Sequence, residues 1–165
     1  MHAALLHKIT IHPSRYGLGV FAGEKIREGS RIFPIKGRPV RFTDTLRMDH
    51  QESYALQVEQ DRYLLCGSPF VLINHSCNPN SGIDGGLYFT AIKDIEKEEE
   101  ITWDYSTSML ERHWTMRCEC GEKACRKIIQ DFDQLPLSIQ TAYLKKGIVM
   151  PYIIEFLQQS IAKTA

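Results

Sequence analysis

The chain has 165 residues, enough for one domain with a substantial core and a small appendage, and too few for a second large domain. Its 20 basic and 20 acidic residues cancel, which argues against a general binder of nucleic-acid backbones and points to local, specific recognition. No run reaches the roughly eighteen apolar residues of a membrane span, and Met1 to Lys8 is too short and interrupted for a secretory segment, so a soluble, unprocessed cytosolic or nuclear protein is expected.

Residues 8 to 40 alternate β-like runs with glycine punctuation: Lys8 to His12, Gly19 to Ala22 and Arg31 to Pro34, with a turn at Ile26 to Gly29. Gly17 and Gly19 bracket Leu18, so the backbone there can approach a ligand without a Cβ in the way, although an isolated pair of this kind is more simply a hairpin turn. Thr43 to His50 reads as a helix or loop, and Tyr54 to Val58 with Tyr63 to Leu65 as a hairpin around Glu59 to Arg62.

The apolar run Phe70 to Ile73 then meets Asn74-His75-Ser76-Cys77-Asn78-Pro79-Asn80. Its simplest reading is a strand entering a turn, yet Asn, His and Cys are poor core material and good sources of directional donors, acceptors and metal ligands. Leu87 to Ile92 is read as a strand, Lys93 to Glu99 as a charged turn, and Glu100-Ile101-Thr102-Trp103-Asp104-Tyr105 as a further strand with two aromatics. The acids Glu98 to Glu100 read as a solvated turn, not as a docking site for a basic partner.

Cys118, Cys120 and Cys125 follow a C-x-C-x4-C spacing, one ligand short of a tetrahedral zinc site, and Cys77 is the obvious fourth. Redox-active or simply buried thiols are the alternative. Four protein ligands would make the metal structural and not Lewis-acidic, and thiolate ligation suits a reducing compartment. Leu135 to Lys146 and Pro151 to Lys163 carry helical spacing, with Gly147 as a stop and Pro151 in a first turn.

Taken together, these residues resemble a SET-domain lysine methyltransferase followed by its post-SET zinc segment, in particular the compact stand-alone members found in bacteria. The resemblance rests on four motifs in order: Gly17-Leu18-Gly19-Val20-Phe21, Asn74 to Cys77, Glu100 to Tyr105, and Cys118 to Cys125. It implies a mainly β fold with short helices, a β-clip of small sheets with a knot-like crossing, and a helical tail. The implied divisions are 1–115 for the SET domain, with a variable insert at about 41–66, then 116–130 for the zinc segment and 131–165 for the helical extension.

By the same likeness the cofactor is S-adenosylmethionine, contacted by Tyr16, Gly17, Leu18, Gly19, Tyr54, Asn74 and His75. Tyr105 is the catalytic tyrosine, Trp103 and Tyr54 line the substrate channel, and Cys77, Cys118, Cys120 and Cys125 hold one structural zinc. The substrate is then a lysine in a protein or peptide, with neither direct nucleic-acid binding nor a membrane partner expected. A catalytically inactive, zinc-stabilised interaction module is the competing reading; the presence of all five motif residues Gly17, Gly19, Asn74, His75 and Tyr105 weighs against it.

Methyl transfer to an amine is an in-line displacement that needs the amine uncharged. Lysine titrates near 10.4, so keeping it neutral at pH 7 costs about 4 to 5 kcal/mol, which a dry aromatic channel and a nearby sulfonium can offset. The sequence offers no strong general base. It departs from the family at Val71, where many members carry Arg, and at Trp103, where Phe or Tyr is usual.

Overall fold

Turn chemistry spaced every few residues keeps the strands short, so this chain covers its core with several small sheets and not one large one. The computed structural model describes residues 6–164. Residues 1–5, part of the stretch read as too interrupted for a secretory segment, lie outside the described residues, as does residue 165. Among the described residues no helix is long and apolar enough to cross a membrane.

Strands β1 (Ile9–Ser14) and β2 (Gly17–Ala22) form an antiparallel hairpin with Ser14 opposite Gly17. Gly17 turns at φ +101°, a region that L side chains rarely adopt. At Gly19 space, not conformation, demands glycine: a Cβ would lie 2.5 Å from Glu100 Oε1 and 2.9 Å from Ser14 Cβ. After β3 (Arg31–Pro34) and β4 (Gly37–Val40) come the short helix α1 (Phe42–Thr45) and a 3-10 turn at Asp49–Tyr54. The expected hairpin follows as β5 (Ala55–Glu59) and β6 (Arg62–Cys66), joined by β4 in a three-stranded sheet of order β4-β6-β5.

The run Phe70–Leu72 is a 3-10 turn and not the strand that its apolar character suggests. Pro69 stands in the right-handed helical region at φ −84°, ψ −12°, and its carbonyl accepts from the Leu72 N–H, so the chain coils before it extends. Extension begins at β7 (Asn74–His75), followed by β8 (Ser81–Ile83) and β9 (Tyr88–Ala91), which form the sheet β3-β9-β8 over Phe33 and Phe89, stacked 5.3 Å apart.

Strand β10 is confined to Thr102–Trp103, where Glu100 to Tyr105 was expected to be extended throughout. Asp104 ends it by accepting the Ser106 N–H on its side chain, which starts a 3-10 turn at Tyr105–Ser108. Strand β10 pairs in parallel with β7, Thr102 against Asn74 and Trp103 against His75, so two motifs far apart in sequence become neighbours.

Beyond β11 (Met116–Arg117), β12 (Ile128–Ile129) and a 3-10 turn at Phe132–Gln134 come α2 (Leu137–Lys146) and α3 (Pro151–Thr164), the two expected helices. Gly147 ends α2 in the left-handed region at φ 67°. The helices share the core of the sheets: Ile148, Val149, Met150 and Ile153 are at most 2% exposed, and Ile148 rests where a Cβ on Gly82 would stand. Burying side chains of this size is worth roughly 1.5 to 3 kcal/mol each, so the C-terminal segment contributes to the stability of the motif-bearing sheets.

Candidate functional site

At the tip of the β1–β2 hairpin the Asn74 amide donates to Ser14 Oγ at 3.0 Å, the Leu18 carbonyl at 3.2 Å and Glu100 Oε1 at 2.7 Å. One side chain thus ties the glycine turn to both central motifs. Tyr16 and Leu18 remain 44% and 48% exposed on that tip, leaving side chains and main chain open to a ligand. Tyr16, Gly17, Leu18, Gly19 and Asn74 therefore come together. The His75 side chain leaves this group: it is buried, with Nε2 directed at Cys77 Sγ 3.3 Å away and Nδ1 accepting the Tyr105 N–H at 3.3 Å. Burial lowers its pKa to about 4.

On the other side of β10 a pocket is lined by five aromatic residues, Tyr63, Phe70, Trp103, Tyr105 and Trp114. Trp103 is 5% exposed and packs on Phe70, Phe89 and Tyr105 at 5.5, 5.8 and 5.1 Å, so most of its indole belongs to the core. Tyr105 donates its hydroxyl hydrogen to the Ile73 carbonyl at 2.9 Å. Burial raises its pKa well above the usual range, so the phenol stays protonated and its oxygen keeps its lone pairs free. Val71, at the position where family members carry Arg, also lines this pocket. Tyr54 does not: its neighbours Ser53 and Ala55 face the pocket, while Tyr54 itself is 38% exposed at the end of its 3-10 turn.

The cysteines gather beneath the Asn74–His75 strand. Cys77 Sγ lies 3.7 Å from Cys118 Sγ, and Cys125 Sγ 3.6 Å from Cys118 Sγ. A tetrahedral ion with Zn–S bonds of about 2.3 Å separates its sulfurs by about 3.8 Å, so these thiols fit zinc. Cys120 stands within 4.8 Å of Cys77, Cys118 and a ring nitrogen of His75, which makes His75 a nearby additional donor. Burial pushes the Cys77 thiol up to about 11 and Cys118 higher still, whereas the Lys127 backbone N–H helps lower Cys125 to about 7. Buried thiols of this kind become thiolates when a dication supplies the charge. The remaining thiol, Cys66, is buried, with its pKa raised to about 12, and points to the Leu64 carbonyl.

One constellation escapes sequence reasoning altogether. Asp104, 0% exposed, accepts from Arg126 Nη2 at 2.8 and 2.7 Å and from the Tyr143 hydroxyl at 2.9 Å, with His75 Nδ1 at 3.6 Å. The cysteine segment, helix α2 and the tyrosine turn therefore meet on a single carboxylate. Arg126 follows directly on a cysteine ligand candidate and so could have been noticed; Tyr143, inside an ordinary helical pattern, carries no local signal.

The SET domain family profile matches residues 17–106. Among curated relatives, the histone-lysine N-methyltransferase ATX2 of Arabidopsis thaliana is 28% identical over 134 residues, 70% of this chain and 12% of that protein. The H3 lysine-9 specific enzyme KMT1 of Fusarium mangiferae is 33% identical over 110 residues, 54% of this chain and 31% of that protein. The chain thus spans less than a third of either relative's length. Among solved structures, the methyltransferase domain of human SETMAR superposes with a TM-score of 0.65 at 22% identity, covering 78% of this chain and 60% of that one. KRYPTONITE, solved with mCHG DNA and SAH, gives 0.61 at 22% identity, covering 76% of this chain and 29% of that one. The profile match takes in more than half of the chain and includes the glycine turn, Asn74, Trp103 and Tyr105: this chain belongs to the SET domain family.

Proposed function

We propose that the protein transfers a methyl group from S-adenosylmethionine to a lysine side chain of a protein or peptide. The observation that carries the reading is the Tyr105 hydroxyl, fixed by the Ile73 carbonyl in an aromatic pocket, one strand away from the Gly17–Gly19 turn and Asn74. Relatives named as histone-lysine methyltransferases and neighbours solved with SAH support the same chemistry. When bound, the cofactor supplies a methyl group on a sulfonium.

The chain's own residues do the rest. Tyr16, Leu18, the Gly17–Gly19 backbone and Asn74 bind the donor, with His75 contributing its main chain. The rings of Trp103, Phe70 and Tyr105 exclude water from the amine, which favours its neutral form. The Tyr105 oxygen, its hydrogen committed to Ile73, orients the groups at the reacting centre. Calorimetry with S-adenosylmethionine and mass spectrometry of a lysate incubated with labelled cofactor test the proposal; no binding at high micromolar cofactor, or no labelled lysine, would sink it.

Cys77, Cys118, Cys120 and Cys125 would hold one zinc ion, which would fold residues 116–130 against the motif strands. Protein purified under reducing conditions is expected to contain about one zinc per chain by elemental analysis. A strong chelator should increase amide exchange in residues 116–130 while the core strands stay protected; metal-free protein with a protected segment would refute the assignment.

Trp103 should limit the number of methyl groups added. Its indole fills space that a methylated amine needs in order to turn, so Trp103→Phe is expected to raise the share of the highest methylation state with little change in the first transfer. Mass spectra in which the wild type already trimethylates its substrate would contradict this.

A further inference from the structure

The pocket beside Tyr105 is lined by two acids, Glu52 and Glu111, and by no lysine, arginine or histidine. Glu52 is answered by His113 Nε2 at 2.9 Å. Glu111 makes no direct ion pair: it is partly buried and accepts the Tyr63 hydroxyl on Oε2 and the Trp114 N–H on Oε1 at 3.3 Å, both neutral donors, while His113, which is engaged by Glu52, acts on it only at longer range. The adjacent Arg112 is turned away, with Nη1 on Asp131 at 2.9 Å and on Asp133 at 2.6 Å and Nη2 also on Asp133. Among the described residues no cation stands within ion-pair distance of Glu111.

A carboxylate withdrawn from water is costly unless a positive charge compensates it, and burial raises the Glu111 pKa accordingly. We propose that Glu111 selects substrates carrying a second basic side chain close to the target lysine, and that this second side chain pairs with its carboxylate. The inference rests on the methyltransferase reading above. The cation is a second one because a carboxylate beside the reacting amine would hold that amine protonated, the opposite of what transfer requires.

The lining also divides in this way. Trp103, Phe70 and Tyr105 are joined by ring contacts of 5.5 and 5.1 Å, whereas the Tyr63 hydroxyl and the Trp114 main-chain N–H both donate to Glu111. An arginine suits the second group best: its guanidinium can pair with a carboxylate in a fork and stack on an aromatic face.

The test uses synthetic peptides with one central lysine and either arginine or citrulline, its uncharged isostere, at each flanking position in turn. For at least one position wild-type protein should favour arginine by roughly tenfold in kcat/KM, mostly through KM, the scale of one charge-assisted hydrogen bond. Glu111→Gln should bring that ratio near one, and Glu111→Asp, which keeps the charge, should restore part of it. Should Glu111→Gln fail to fold, the salt dependence of the wild-type ratio decides, falling toward one at high salt if the pair exists. Equal use of arginine and citrulline peptides by an active wild type, a preference kept by Glu111→Gln, or a salt-independent ratio would overturn the role of Glu111 alone. A wild type that methylates no lysine in any peptide or lysate overturns the methyltransferase reading as well.

Discussion

Tyr105→Phe should lower turnover on the order of 100-fold while cofactor affinity stays within a few-fold. The hydroxyl hydrogen is committed to the Ile73 carbonyl at 2.9 Å, which holds both the ring and the oxygen in place. Removing the oxygen leaves the ring packed on Trp103 at 5.1 Å and His75 at 5.2 Å, so the pocket keeps its shape and the donor keeps its contacts. What is lost acts mainly on the reacting centre. A misplacement of about 1 Å there is enough to cost a factor of this size. Single-turnover rates with labelled cofactor, beside calorimetric affinities, separate the two effects. An unchanged rate would remove Tyr105 from the chemistry; a collapse of cofactor affinity would make its role structural.

The second large effect is on stability. Asp104→Ala should cost about 3 to 5 kcal/mol, because it leaves Arg126 charged with its buried partner gone. The Arg126 side chain is only 10% exposed, and its Nε and Nη1 already lack partners among the described residues. Against a total of about 5 to 15 kcal/mol, such a loss brings the fold close to its limit. Tyr143→Phe removes a single neutral donor from the same carboxylate and should cost only about 1 kcal/mol. Urea unfolding of the two variants measures both. A cost below about 1 kcal/mol for Asp104→Ala would mean that water enters and satisfies Arg126.

Asp104 also connects parts that look separate along the chain. It precedes Tyr105, binds Arg126 from the cysteine segment and accepts from Tyr143 of helix α2. The C-terminal helical segment therefore braces the tyrosine turn: Tyr152 donates to the Ser108 carbonyl at 2.8 Å and the Met150 N–H to the Thr107 carbonyl at 3.0 Å.

By itself the sequence determined those features whose chemistry is local. Glycine at positions 17 and 19, the Asn74 to Cys77 run, the cysteine spacing and the stop at Gly147 each act through a few adjacent residues, so their presence could be read directly. Phe70–Ile73 and Glu100–Tyr105 depart from the extension that their side chains favour for a physical reason. Apolar and aromatic residues favour extension only until a proline in the helical region or an aspartate capping its own turn competes for the backbone hydrogen bonds. Tertiary structure alone decided where these side chains stand: His75 toward sulfur, Tyr54 outside the pocket lining, Glu111 in it, and Tyr143 on Asp104. The last two depend on contacts between residues 48 and 39 positions apart, Tyr63 with Glu111 and Tyr143 with Asp104, and no periodicity along a chain encodes a partner at such a distance.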